Sequence, residues 1–254
     1  MRIEFIPVDK DDTLMFIVEG IDATFANSLR RAIMTEVPVY ACNEVVFYTN
    51  SSPLYDEVIS HRIGLVPLTT PEGTDKDSKM VTMSLEAQGP TTVYSGSLVS
   101  DDPSVQPVND EFPLLKLGPG QSISLNAECY VGYGKDHVKW QPGLVGYKNY
   151  PIIDVDKQRC NLCGECVKTC PTKILGIEEG SIVVLEIFKC TFCKSCEDAC
   201  KRLNENEIIT VRPMNDKFIF RIESFGNMST KDLLNTALNV IEKKAERLDQ
   251  LLNE

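Results

Sequence analysis

The sequence predicts an α+β chain whose two ends fold together into one discontinuous domain, and three observations carry that prediction. Segments at the N-terminus and again near residue 220 alternate apolar and charged residues with period two, the pattern of half-buried strands. The middle, from Val81 to Tyr133, is β-rich and broken by Gly89-Pro90, Asp102-Pro103 and Gly118-Pro119-Gly120, which are turn signals. The last segment runs from Ser229 without glycine or proline and repeats its leucines at helical spacing.

Taken in order, Arg2 to Val8 and Thr13 to Gly20 read as strands, with Ile3, Phe5, Leu14, Phe16 and Val18 on the apolar face. Asp22 or Thr24 then caps a helix whose inward residues are Phe25, Leu29, Ala32, Ile33 and Val37, stopped by Pro38. Ser52 as cap with Pro53 at the first helical position predicts a second short helix through Leu54, Val58 and Ile59, ending near Gly64. His61 lies near that end, where its ring can bond a terminal carbonyl. Cys42 and Cys129 stand alone in apolar surroundings and read as small buried hydrophobes. Lys217 to Glu223 is another alternating strand, able to pair with the N-terminal strands. In the final helix Ser229 and Asp232 form a variant of the capping box. Leu234, Leu238, Ile241, Ala245, Leu248 and Leu252 follow at alternating intervals of four and three, a helix-pairing seam widened by Leu233, Ala237 and Leu251. Such a helix is about 38 Å long at 1.5 Å per residue. That exceeds what a small sheet covers, so a partner helix is expected to bury the rest.

Eight of the ten cysteines fall into two runs of one spacing, Cys160-x2-Cys163-x2-Cys166-x3-Cys170 and Cys190-x2-Cys193-x2-Cys196-x3-Cys200. A 4Fe-4S cube needs four thiolates, and a tight C-x2-C-x2-C loop wraps three corners of it. Zinc knuckles pair two C-x2-4-C units across a longer gap, and disulfides need an oxidising compartment. The N-terminus has no charged-then-apolar signal segment. The pattern resembles that of two-cluster ferredoxins, in which the fourth cysteine of each run crosses over. That resemblance implies two 4Fe-4S clusters, one on Cys160, Cys163, Cys166 and Cys200, the other on Cys190, Cys193, Cys196 and Cys170. Pro171 follows the first run but Lys201 follows the second, which leaves a single cluster or a 3Fe-4S form open. Ile174 to Leu185, turning at Glu179-Gly180, reads as a hairpin between the runs.

Charge narrows the function classes. Lysine and arginine total 26 against 37 acids, a net charge of -11, whereas the cassette from Lys157 to Glu205 is nearly neutral. A protein that grips nucleic acid directly is more often basic. No apolar run approaches the roughly 18 residues of a membrane helix, so a soluble, cytoplasmic protein with no membrane contact is expected. There is no Asp-rich magnesium loop and no Gly-x4-Gly-Lys-Ser/Thr phosphate cradle, and hence no catalytic residue to nominate.

Four segments, in order, carry a resemblance over nearly the whole chain. They are Asn27-Ser28-Leu29-Arg30-Arg31-Ala32-Ile33 with Val37-Pro38; Ser60-His61-Arg62-Ile63-Gly64-Leu65-Val66-Pro67-Leu68; Gly132-Tyr133-Gly134-Lys135-Asp136-His137-Val138-Lys139-Trp140-Gln141-Pro142; and Phe220-Arg221-Ile222-Glu223-Ser224-Phe225-Gly226. Together they resemble the alpha-like, third-largest-subunit family of DNA-directed RNA polymerases, in the archaeal branch that keeps a two-cluster ferredoxin-like insert. The resemblance implies a dimerisation domain of residues 1–39 and 214–254, a β-rich insert domain of 40–156 and 206–213, and a ferredoxin-like 4Fe-4S domain of 157–205. It implies a dimerisation surface of Leu29, Ile33, Leu234, Leu238, Ile241, Ala245, Leu248 and Leu252. The implied partners are a smaller alpha-like subunit L, small subunits N and P, and the large catalytic subunits. Those large subunits perform nucleotidyl transfer in transcription, and DNA is met only indirectly. In that context Arg30 and Arg31 are expected to meet partner acids, and His137, Lys139 and Trp140 are read either as a docking surface or, for Trp140, as a core anchor. The competing class is an electron-transfer subunit of an oxidoreductase complex, suggested by the same cysteines.

Overall fold

The computed structural model describes residues 1–203 and 208–253. Strands β1 (Arg2–Ile6) and β2 (Thr13–Glu19) lead into helix α1 (Ala23–Thr35), followed by β3 (Pro38–Asn50), α2 (Asp56–Gly64), β4 (Val81–Gln88), β5 (Thr91–Tyr94), β6 (Val99–Ser100), β7 (Pro113–Leu117), β8 (Ser122–Tyr133) and β9 (Gly143–Val155). Then come α3 (Glu165–Thr169), β10 (Leu175–Glu178), β11 (Ser181–Val184), α4 (Ser195–Leu203), β12 (Ile209–Ser224) and α5 (Thr230–Asn253). The chain is α+β. It divides into two compact units, one of residues 1–6, 15–26 and 147–220, the other of 7–14, 27–146 and 221–254.

In the first unit, β1 pairs antiparallel with β2, with Ile3 opposite Val18 and Phe5 opposite Phe16. The sheet order β1-β2-β12-β9 puts the strand near residue 220 beside the N-terminal hairpin, as the alternation predicts. Phe16 stacks on Phe220 with ring centroids 5.2 Å apart, and Tyr147 meets Phe218 and Phe220 at 5.7 and 5.5 Å. Aromatic pairs at these distances add to the gain from burial alone. The predicted hairpin between the cysteine runs forms as β10 and β11, turning at Glu179 and Gly180. The expected domain boundary between 205 and 206 lies outside the described residues.

The second unit is built on the sheet β3-β8-β4-β6 and the ribbon β5-β7. Its core includes Ile59, Ile63, Leu68, Met83, Leu85, Leu114, Leu117, Ile123 and Leu125, all almost fully buried. Cys42 and Cys129 are also buried there, directly opposite each other across β3 and β8.

Two helix details correct the sequence expectation. Phe25 does not face inward; it is 36% exposed, because the buried stripe of α1 runs through Ala26, Leu29 and Ile33 at intervals of three and four and leaves Phe25 one position off it. The cap of α1 is Asp22, whose carboxylate accepts the Phe25 N–H at 2.8 Å. Helix α2 does not begin at Ser52-Pro53. The Ser52 hydroxyl is engaged within a local turn, 3.3 Å from the Leu54 N–H, and Asn50 Nδ2 donates to the Leu54 carbonyl at 2.9 Å. The helix starts instead at Asp56, with Asp56 and Glu57 complementing the positive end of its dipole. Its end at Gly64 is as expected.

Candidate functional site: a cysteine cassette and an exposed helical seam

The cassette begins where β9 ends. Asp156 organises the approach: its carboxylate accepts the N–H groups of Gln158 and Arg159 and pairs with the Arg159 guanidinium at 2.6 Å. Those bonds, Arg159 first, hold the Asp156 carboxyl below the usual range. Cys160 N–H then bonds back to the Asp156 carbonyl at 3.0 Å.

The two cysteine runs share one backbone trajectory. Leu162 and Phe192, each just before the second cysteine of its run, sit at φ 57° and 56°, and Gly164 and Lys194, each just after, at 75° and 58°. A left-handed conformation is unfavourable for leucine, phenylalanine and lysine, and costs of this kind persist where surrounding structure dictates the backbone. Here the same left-handed twist recurs at matched positions of the two loops. In both runs the second cysteine, Cys163 or Cys193, is exposed and the third and fourth are buried.

Among the described residues no group of three or more His, Cys, Asp or Glu side chains is set to hold a metal ion, yet cysteines of both runs do share one cavity. Cys170 lines one small cavity with Cys190, Cys193 and Cys196. Burial pushes the Cys196 thiol up to about 11, with further contributions from the charges of Cys170 and Cys190. Burial likewise raises Cys166, and the cysteines whose charges add to that rise are Cys200, Cys160 and Cys163. Elsewhere the backbone favours the thiolate. At Cys170 burial alone would raise the pKa, but N–H groups from Ile174, Thr172 and Lys173 and the Thr172 hydroxyl outweigh it and bring the thiol down. Ser195 does the same for Cys193 through its hydroxyl and its N–H.

An apolar shell surrounds the sulfurs, including Ile174, Leu175, Ile182, Ile209 and Val211. Buried thiols ringed by aliphatic side chains, with N–H donors aimed at sulfur, suit a thiolate-ligated iron–sulfur group, whose charge needs those donors and whose stability needs exclusion of water. Helices α3 and α4 pack together inside the cassette. Glu197, the residue after Cys196, is almost wholly buried; its carboxylate accepts the Val211 N–H and lies 3.7 Å from Lys194. No cysteine pattern points to that anchor. Nor does it point to Lys148 of β9, whose ammonium donates to the carbonyls of Phe188 and Cys190, both at 2.7 Å. Burial draws the Lys148 pKa down and the charge of Cys190 opposes that shift.

The seam residues occupy a different setting. Ser229 caps α5 by accepting the Asp232 N–H at 3.2 Å. Leu233 and Ala237 hold the helix to its own unit, both at 0% exposure, and Lys244 pairs with Glu36. Leu234 and Ile241 are half-buried, whereas Ala245 is exposed and Leu238, Leu248 and Leu252 are 39%, 59% and 76% exposed. Leu29 and Ile33 differ from the rest, being core residues of this chain at 4% and 0%. Whatever part α1 has in pairing, these two side chains act from behind the surface.

The remaining motif residues are placed more simply. Arg30 folds over its own helix, donating to Asn27 Oδ1 at 3.0 Å. Arg62 donates to the Leu114 carbonyl at 2.7 Å. His137 Nδ1 accepts the Lys139 N–H at 3.1 Å, capping a short 3-10 turn. Trp140 is a half-buried anchor: its Nε1 donates to the Tyr130 carbonyl at 3.1 Å, and its ring lies so close over Gly132 that a Cβ there would collide with ring carbons.

Residues 45–156 match the RNA polymerase Rpb3/RpoA insert domain, and residues 152–201 match the 4Fe-4S dicluster domain. The chain is 37% identical to the DNA-directed RNA polymerase subunit Rpo3 of Methanosarcina acetivorans, with 96% of each chain covered. It is 39% identical to the Rpo3 subunit of Pyrococcus furiosus, covering 94% of this chain and 92% of that one. The Rpo3 subunit of Methanothermobacter thermautotrophicus is also 39% identical, over 94% and 95%. Nothing in these matches supports the oxidoreductase alternative. Among the described residues no helix is long and apolar enough to cross a membrane. With an Rpb3/RpoA insert domain, an iron–sulfur domain and full-length relatives of one kind, the chain belongs to the Rpo3 family of DNA-directed RNA polymerase subunits.

Proposed function

We propose that this chain is the non-catalytic assembly subunit of a cytoplasmic DNA-directed RNA polymerase, pairing with a small alpha-like subunit L through the outer face of α5. The observation that carries this reading is the leucine seam. It continues along a capped helix well past the two residues that fix that helix to its own core, and Leu238, Leu248 and Leu252 remain in water. A row of exposed leucines at three- and four-residue intervals costs solubility unless a second surface covers it. Leu234, Ile241 and Ala245 complete the seam, with Leu29 and Ile33 stiffening α1 from within. Subunits N and P and the large catalytic subunits then dock on the pair, and contact with DNA is indirect. The domain division of the family is proposed with it: 1–39 with 214–254 for pairing, 40–156 with 206–213 as insert, and 157–205 for the clusters.

The second part of the proposal concerns those clusters. Two 4Fe-4S cubes are assigned, one to Cys160, Cys163, Cys166 and Cys200, the other to Cys190, Cys193, Cys196 and Cys170. The support is the cavity that Cys170 shares with Cys190, Cys193 and Cys196, the N–H donors of Cys170 and Cys193, and the aliphatic shell. When bound, the clusters cross-link a cassette of few buried side chains, because metal–ligand free energy is also folding free energy. Oxidative loss of iron then loosens the cassette and lowers assembly of later subunits, while pairing through α5 persists.

Co-expression with subunit L tests the central claim. A stable one-to-one complex by size-exclusion chromatography with light scattering is expected. A monomer that ignores subunit L and is absent from purified polymerase would overturn it.

A further inference from the structure

Resting on the assignment of Cys190 to a cluster, we infer that Lys148 is the positioning and charge-compensating residue of the cluster built on the second cysteine run. Lys148, Lys189 and Lys194 all lie near that run, and they differ in one respect. Lys189 pairs with Glu186, and Lys194 lies 3.7 Å from the Glu197 carboxylate. Lys148 has no carboxylate partner among the described residues; its ammonium is half-buried against the neutral carbonyls of Phe188 and Cys190. A half-buried cation satisfied only by carbonyl dipoles is poorly compensated, and such charges normally find an opposite charge or leave the interior. A 4Fe-4S cube with four thiolates carries net negative charge, and it would form on the residue whose carbonyl Lys148 grips.

The strand that delivers Lys148 is held firmly on either side of it. Tyr147 stacks on Phe220 at 5.5 Å, Asn149 Nδ2 donates to the Met214 carbonyl at 2.7 Å, and Lys217 lies 4.5 Å from the centre of the Tyr150 ring. The ammonium is therefore presented from a fixed point on β9 and clamps the loop entering Cys190. In the first run, Lys168 is an exposed residue of α3 already paired with Glu165 at 2.8 Å. The inference makes the cluster on the second run dependent on a residue outside the cysteine motif.

The test uses the full chain purified anaerobically with its partner, as wild type, Lys148→Met, Lys148→Arg and Lys168→Met. Iron release to a chelator is followed together with redox titration monitored by electron paramagnetic resonance. Lys148→Met is expected to release the iron of one cluster about 10-fold faster, the lower end of the roughly 10- to 100-fold that outer-shell partners contribute to metal affinity. It should also lower that cluster's midpoint potential, since reduction adds negative charge that the lost cation no longer offsets. Lys148→Arg should keep the potential near wild type, and Lys168→Met should change neither readout. Wild-type release and potential in Lys148→Met would refute the role of Lys148 while leaving the cluster assignment intact. Equal loss from both clusters with a general fall in melting temperature would refute it as well, by making Lys148 merely structural. A wild-type chain without iron or acid-labile sulfide would instead remove the cluster assignment itself.

Discussion

Replacing Leu238, Leu248 and Leu252 together by alanine separates pairing from folding. Their exposed fractions of 39%, 59% and 76% amount to somewhat less than two whole leucine side chains left in water. Full burial of a leucine is worth roughly 1.5–3 kcal/mol, so covering what the three expose contributes about 3–5 kcal/mol to pairing. Alanine keeps the Cβ and the backbone contact, which leaves a loss of about 2–3 kcal/mol, or roughly 30- to 150-fold in Kd for subunit L. Alanine is also the best helix former, so α5 itself is not weakened. Leu233 and Ala237 still fix it. Isothermal titration calorimetry gives the Kd and circular dichroism the melting curve of the chain alone. The expected result is weaker binding with an unchanged melt. A Kd within twofold of wild type would refute the seam as the pairing surface; a large fall in melting temperature would show those leucines to be part of the chain's own core.

The converse variant, Leu233→Ala, removes a side chain with no exposure and is expected to cost about 2–4 kcal/mol in denaturant unfolding of the chain. Gly132→Ala should destabilise by roughly 1–3 kcal/mol, because the new Cβ meets the Trp140 ring; pairing Gly132→Ala with Trp140→Leu should recover part of that loss in the same unfolding assay. Cys163→Ser with Cys193→Ser takes one exposed cysteine from each run, and if both are ligands as proposed, iron and acid-labile sulfide should fall below half of wild type. Binding of subunit L should persist while holoenzyme yield drops, and normal yield with iron lost would remove the proposed link between iron loss and assembly.

How much of the fold is legible in the sequence depends on how local each signal is. Period-two alternation at residues 2–6 and 217–223 is local, and so is the Ser229 cap; each gives its element directly. The start of α2 escapes a reading of composition for a local reason too. Ser52 and Pro53 carry the composition of a helix start, but the Ser52 hydroxyl closes a turn with Leu54, and the acids at 56 and 57 sit where the helix dipole favours them. Phe25 attracts the inward assignment because it is the heavier residue beside Ala26, whereas the stripe phase set by Leu29 and Ile33 selects Ala26. Lys148 and Glu197 are invisible for a different reason. Their partners are 40 and 14 residues away, on strands and loops whose neighbours only the fold defines, and no spacing encodes them.

The departure at Lys201 shows where sequence comparison and geometry weigh differently. A proline after the fourth cysteine ends the helix that carries it, and α3 does stop at Thr169, with Cys170 extended at φ -68° and ψ 114° before Pro171. Without that proline, α4 runs on through Cys200 and Lys201 to Leu203. The fourth cysteine of the first run is thus offered from an extended cap, that of the second from inside a helix, yet both are buried. Proline controls where the helix ends and contributes no donor to iron. Its absence therefore lengthens α4 without removing a thiol, and the loss of a proposed cluster would have to come from the charge and hydrogen-bond setting of the sulfurs. Lys148 belongs to that setting for the second run, so under the proposed assignment Lys148→Met should lower the occupancy of a cluster built there.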